Sequence, residues 1–203
     1  MKTQIILIHG GEVFNSYKQY LTYLKRYKLD LKRFKTKGWK SVFPKKLGNK
    51  YEVIAPQMPS PINAKYAEWK IYFNKFKPFL KNNLILIGHS LGGIFLAKYL
   101  SKNKLSKKIK ATFLIAAPYD DKKSKYSLGD FRLPKNLNKF QNQGGQIFLF
   151  QSQDDPVVPF ADVKKYQKSL PLARAVIFKN KKHFNQPQFP ELIKIIKNVT
   201  IKT

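Results

Sequence analysis

Gly88-His89-Ser90-Leu91-Gly92 has the form GxSxG. The apolar run Leu84–Ile87 leads directly into it, and a segment of helical spacing leads out. In that strand–elbow–helix setting a tight turn pushes the serine hydroxyl outward as a nucleophile. Side chains at positions 88 and 92 would collide across such a turn, and Gly93 adds further room. The plain structural alternative is a glycine-rich turn with Ser90 capping the next helix. A serine nucleophile needs a base, and the chain holds three histidines. His89 lies inside the elbow and His9 ends the first apolar run, so only His183 follows Ser90. That order fits, because after an elbow of this kind the acid and then the histidine come later along the chain. The acid must hold the imidazole in one tautomer, which calls for a rigid seat. Asp155 has one, between the fifth apolar run and the prolines Pro156 and Pro159. Asp154 reads as an Asx turn at a strand end, and Asp120 and Asp121 are the reserve acids.

An acyl transfer also needs donors for the developing oxyanion. His9-Gly10-Gly11 follows the first run, and the N–H groups of Gly11 and Leu91 are the candidates. Met58 and Pro59, with Trp69, are candidates for the acyl pocket, although a core role suits Trp69 at least as well. The chain has no cysteine, which excludes a thiol nucleophile, a disulfide scaffold and a zinc–cysteine site; no metal or organic cofactor is expected.

Six apolar runs must position these residues: Gln4–Ile8, Tyr51–Ala55, Leu84–Ile87, Thr112–Ala116, Ile147–Phe150 and Ala175–Phe178. Each is continuous rather than alternating, the pattern of strands buried on both faces. Helical spacing fills the intervals, at Tyr17–Tyr27, Trp69–Leu80, Ile94–Tyr99 and Leu192–Ile196. Alternation of this kind predicts an α/β fold: a three-layer α/β/α sandwich around a mostly parallel six-stranded sheet. Ligands of such sheets bind outside the carboxyl ends of the strands, and every motif above falls in a loop there.

With these residues in place, the sequence resembles the α/β hydrolases, and among them the small YdeN-type serine hydrolases that include the retinoblastoma-binding-protein relatives. The resemblance is carried by His9-Gly10-Gly11, Pro56–Pro59 with Trp69, Gly88–Gly93, Ser152–Pro159, and His183-Phe184 with Pro190-Glu191-Leu192. It implies a minimal α/β-hydrolase fold with its sheet ordered 2-1-3-4-5-6, and a Ser90–Asp155–His183 triad. It also implies an oxyanion hole at Gly11 and Leu91, and hydrolysis of a small ester or related acyl compound. Two features depart from the family pattern: Lys182 stands where many relatives carry glycine, and Phe14–Lys37 is longer than the minimal family needs.

The 203 residues read as one domain, 1–203. Forty Lys and Arg against eleven Asp and Glu leave a formal charge of +29. Such a charge suits acidic partners, and a non-catalytic binding protein that holds one on its basic surface is the alternative function. Only Arg26, Arg33, Arg132 and Arg174 are arginine, and lysine spread along the whole chain is a compositional habit rather than a nucleic-acid reading surface. The expected partner is a small acyl substrate, with no specific nucleic acid. No signal-peptide core or membrane span is visible, so a cytoplasmic protein is expected. Helical spacing of the tyrosines in Tyr17–Lys40 points to core packing more than to base stacking. Yet Trp39–Leu47 leads directly into the second run as the natural crossover. That leaves two readings of Tyr17–Tyr27: the crossover helix itself, or a helical insertion at about 14–37 flapping over the active-site mouth. The insertion carries eight cationic residues against Asp30 alone and would favour anionic substrates.

Overall fold

The computed structural model describes residues 2–31, 38–122, 124 and 126–201. Its sheet has six strands: β1 (Thr3–Ile8), β2 (Tyr51–Ile54), β3 (Leu84–His89), β4 (Ile109–Ile115), β5 (Gln146–Ser152) and β6 (Arg174–Phe178). Their order is β2-β1-β3-β4-β5-β6, with every neighbouring pair parallel. The α-helices that lie wholly among the described residues are α1 (Tyr17–Arg26), α2 (Trp39–Leu47), α3 (Tyr66–Asn74), α4 (Leu91–Lys102), α5 (Asn138–Gln143), α6 (Ala161–Ser169) and α7 (Pro190–Ile201).

Successive strand residues point to opposite faces, so each apolar run feeds two cores. On one face Ile6, Ile8, Leu84 and Leu86 pack with Trp69 and Phe73 of α3, Ile94 and Phe95 of α4, and Tyr166 of α6. On the other, Ile5, Leu7, Ile85, Ile87 and Phe113 pack with Trp39 and Phe43 of α2 and Leu192 and Ile196 of α7. This is the expected α/β/α sandwich. Burial on both faces holds for the inner strands and fails at the edges. β2 is half-buried throughout and β6 is mostly so, because each has a neighbour on one side alone.

α1 corrects a second expectation. Despite its helical spacing it contributes no buried residue, and Tyr17 is 69% exposed. The place over the sheet between β1 and β2 belongs to α2, whose Trp39, Phe43 and Leu47 are buried and which runs straight into β2. Ser16 caps α1 by accepting from the Gln19 N–H at 3.2 Å, and Phe14, Tyr20 and Tyr23 cluster along it. Tyr23, Leu24 and Tyr27 face Gly10, Gly11 and Glu12 across a small cleft, at the carboxyl end of β1. Residues 32–37 of the 14–37 stretch lie outside the described residues. Among the described residues, no helix is long and apolar enough to cross a membrane.

Candidate active site

Ser90 sits between β3 and α4 with φ +54° and ψ −121°, a left-handed backbone that a non-glycine residue rarely adopts. Its N–H is anchored to the Ile115 carbonyl at the end of β4, at 2.8 Å. The turn is tight enough that a Cβ on Gly88 would run into the Gly92 backbone. One on Gly92 would meet the carbonyls of Ile8 and His9, the latter at 2.6 Å. Ser90 occupies the N-cap position of α4, yet its hydroxyl makes no capping hydrogen bond there. The side chain is thus left for other chemistry. Gly92→Ala is expected to lower stability by at least about 2 kcal/mol, because both clashing atoms are backbone of β1 and its following loop and cannot rotate away. A fall in the thermal midpoint of the purified variant checks this.

β5 and β6 carry the other two residues. Asp155 lies past the end of β5 with its side chain fully buried, and His183 follows β6 with its side chain 12% exposed. His183 Nδ1–H donates to the Asp155 carboxylate at 3.0 and 3.1 Å, which leaves Nε2 as the basic nitrogen. Asp155 Oδ1 also accepts from the N–H groups of Val157 (2.8 Å) and Val158 (3.0 Å), so the loop grips the carboxylate it presents. The sequence reading had the two neighbours the wrong way round in one respect. The i to i+2 bond to Val157 makes Asp155 the Asx-turn residue. Asp154 instead reaches across to the histidine loop, accepting from Lys182 N–H at 2.9 Å and Ser152 Oγ at 2.6 Å. The reserve acids are engaged elsewhere: Asp120 pairs with Lys165, and Asp121 with Arg132 and the Leu128 N–H.

The histidine loop is further held by Trp39, whose indole N–H donates to the Phe184 carbonyl at 2.8 Å. Lys182 takes φ +47°, and Phe184 takes φ +53°. Both values lie in the region that favours glycine, so the histidine is presented on a strained turn.

Gly10 and Gly11 lie against the elbow. A Cβ on Gly10 would stand 3.1 Å from Ser90 Cβ, and one on Gly11 would stand 2.6 Å from the Pro61 carbonyl and 3.2 Å from Leu91. His9 locks this loop: its Nδ1–H donates to the Gly10 carbonyl at 2.6 Å and its Nε2 accepts from Met58 N–H at 2.8 Å. Burial lowers its pKa below the ordinary histidine value, in keeping with a neutral ring that both donates and accepts. Among the described residues, the N–H groups of Gly11 and Leu91 donate to no protein acceptor, which is the condition an oxyanion hole requires.

These parts surround one cavity of about 440 Å³, lined by Gly10, Gly11, Ser90, Leu91 and His183 among others. Met58 and Pro59 do not line it. Met58 is fully buried beside His9, and the Pro59 carbonyl accepts from the Trp69 indole N–H at 2.7 Å, with Trp69 itself fully buried in the core. That proline loop supports the His9–Gly11 loop from behind. The walls include two charged residues that sequence reasoning missed, Glu12 and Lys40. Glu12 had a signal, since it directly follows Gly11. Burial raises its pKa, and the charge of His183 opposes that rise. Lys40 had none, being one lysine among many. Its Nζ donates to His89 Nδ1 at 2.9 Å, and His89 Nε2–H donates to the His183 carbonyl at 2.9 Å. Burial, reinforced by the charge of Lys40, holds His89 well below the usual histidine pKa, so it serves as a neutral strut behind the histidine loop.

Comparison with known proteins bears on the fold and the family. The rat protein named serine hydrolase RBBP9 is 27% identical over 151 residues, spanning 73% of this chain and 78% of the rat protein. The crystal structure of the ydeN gene product of B. subtilis superposes with a TM-score of 0.75 at 17% identity, covering 99% of this chain and all of that one. A meta-cleavage product hydrolase from Pseudomonas fluorescens gives 0.67 at 14% identity, over 98% of this chain and 91% of its own. The sheet and helices are therefore those of a minimal α/β hydrolase, and the enzyme is a hydrolase. The family model described as serine hydrolase matches residues 31–194, most of the length, and the chain belongs to that family.

Proposed function

We propose that Ser90, His183 and Asp155 form a catalytic triad that hydrolyses a small ester or related acyl compound through an acyl-enzyme. The observation that carries this reading is the His183–Asp155 pair. A fully buried carboxylate fixes the Nδ1–H tautomer of a histidine that shares a cavity with the elbow serine. His183 Nε2 takes the Ser90 hydroxyl proton as Oγ attacks the acyl carbon. The tetrahedral oxyanion is held by the Gly11 and Leu91 N–H groups. As the intermediate collapses, the bond to the leaving group breaks and His183 protonates that group. Water then gives a proton to His183 and adds its oxygen to the acyl carbon; the Ser90 ester breaks, Oγ recovers its proton, and the acid departs. A cavity of about 440 Å³ suits a small-molecule acyl group rather than a folded protein substrate.

The same reading treats residues 1–203 as one domain with a helical insertion at about 14–37. α1 then forms part of the rim, and its cationic residues steer anionic substrates toward the cavity. Steering of that kind fades with added salt. A fluorophosphonate probe tests the core of the proposal. It should label the wild-type protein at Ser90 and leave Ser90→Ala unlabelled. Absence of label on the wild type, or equal labelling of both, overturns it.

A further inference from the structure

Lys40 stands on the cavity wall beside the reacting groups, and the triad mechanism has no use for it. Its nearest partner is a neutral ring. His89 commits Nε2–H to the His183 carbonyl and offers Nδ1 to Lys40 as an acceptor. Among the described residues Lys40 makes no ion pair. Glu12, the carboxylate on the same wall, makes no ion pair with it. The amine is largely desolvated, which lowers its pKa to about 8, so at neutral pH it is still mostly an ammonium. An ammonium has three N–H donors, and one goes to His89. Two donors and one positive charge therefore remain at the wall of a cavity shaped for a small acyl compound. A half-buried, largely desolvated cation without a countercharge is costly, and a scaffold that needed only packing at this point would do better with an uncharged chain.

We propose that the Lys40 ammonium is the recognition point for a carboxylate carried by the acyl substrate, an assignment that rests on the serine-hydrolase reading of the same cavity. A singly charged carboxylate matches what is on offer, one charge and two donors. This contact differs in kind from steering by α1. The lysines of α1 act through solvent and are screened by salt, whereas Lys40 acts at contact distance in a sheltered site.

Three aryl esters test the assignment: the butyrate of nitrophenol, the mono-nitrophenyl ester of glutaric acid, and the butyrate of a carboxylated nitrophenol. The second carries its carboxylate on the acyl side and the third on the leaving group. In the wild type, kcat/KM for one of the charged esters should exceed that for the neutral ester. Lys40→Met should lower that ratio at least tenfold, chiefly through KM. Because the ratio compares esters on one enzyme, any general loss through the His89 strut cancels. The pH dependence is a second readout that needs no variant. Lys40 is protonated below about pH 8, so the wild-type ratio should be high at pH 7 and fall as pH rises through that value. His9 and His89 also face Lys40 and are uncharged across this range, while His183 and Glu12 bear on the neutral ester as well. Ratios that stay flat with pH and survive Lys40→Met, for both charged esters, overturn the Lys40 assignment while leaving the triad standing. A wild type that hydrolyses none of the three esters and takes no fluorophosphonate label overturns the triad reading, and the Lys40 assignment falls with it.

Discussion

Ser90→Ala and His183→Ala should each lower kcat on an aryl ester by about 10⁵- to 10⁶-fold, and the double variant should be hardly worse than either single one. In the proposed triad the three side chains act as a unit. Without the hydroxyl no acyl-enzyme forms, and without Nε2 the hydroxyl keeps its proton. Residual turnover would come from the oxyanion donors and binding alone, which still work in both variants. Single-turnover kinetics on purified, folded variants make the comparison. If the two losses multiplied in the double variant, Ser90 and His183 would be contributing separately and the triad would be wrong.

Asp155→Asn should cost about 10⁴-fold in kcat, and here the hydrogen bonds say why. Oδ1 is occupied by the N–H groups of Val157 and Val158, so the amide oxygen of an asparagine would take that position. The amide NH₂ would then stand at the place of Oδ2, 3.0 Å from His183 Nδ1. A donor there obliges Nδ1 to accept, which moves the ring proton to Nε2 and blocks the nitrogen that must receive the serine proton. The loop should remain folded, because the Asx turn survives the change. Asp121→Asn is the control. Its carboxylate binds Arg132 at 2.7 Å and makes no bond to His183, so kcat should stay within a few-fold of wild type. Full activity in Asp155→Asn together with its loss in Asp121→Asn would move the acid to β4.

Sequence alone determined whatever depends on near neighbours in the chain. The elbow was legible because a strand, a tight turn and a helix are contiguous, and because backbone crowding at Gly88 and Gly92 is a local steric fact. The six strands were legible because a parallel strand covered on both faces must be continuously apolar, and their order came with the resemblance to the α/β hydrolases. His183 was singled out by elimination, since no other histidine follows Ser90, and the fold sets it against the Asp155 carboxylate. Tertiary structure decided what depends on which loops meet. Asp154 and Asp155 are chemically identical neighbours, and the approach of the β6 loop decides their partners: one carboxylate meets the Lys182 N–H and the other meets His183 Nδ1. The exposure of α1 was hidden because helical spacing reports an apolar stripe but not whether a sheet face is free to receive it, and α2 had taken that face. Lys40 was hidden most completely. A lysine's chemistry is set by how far it is removed from water and by what it touches, and neither can be read from one cation among forty.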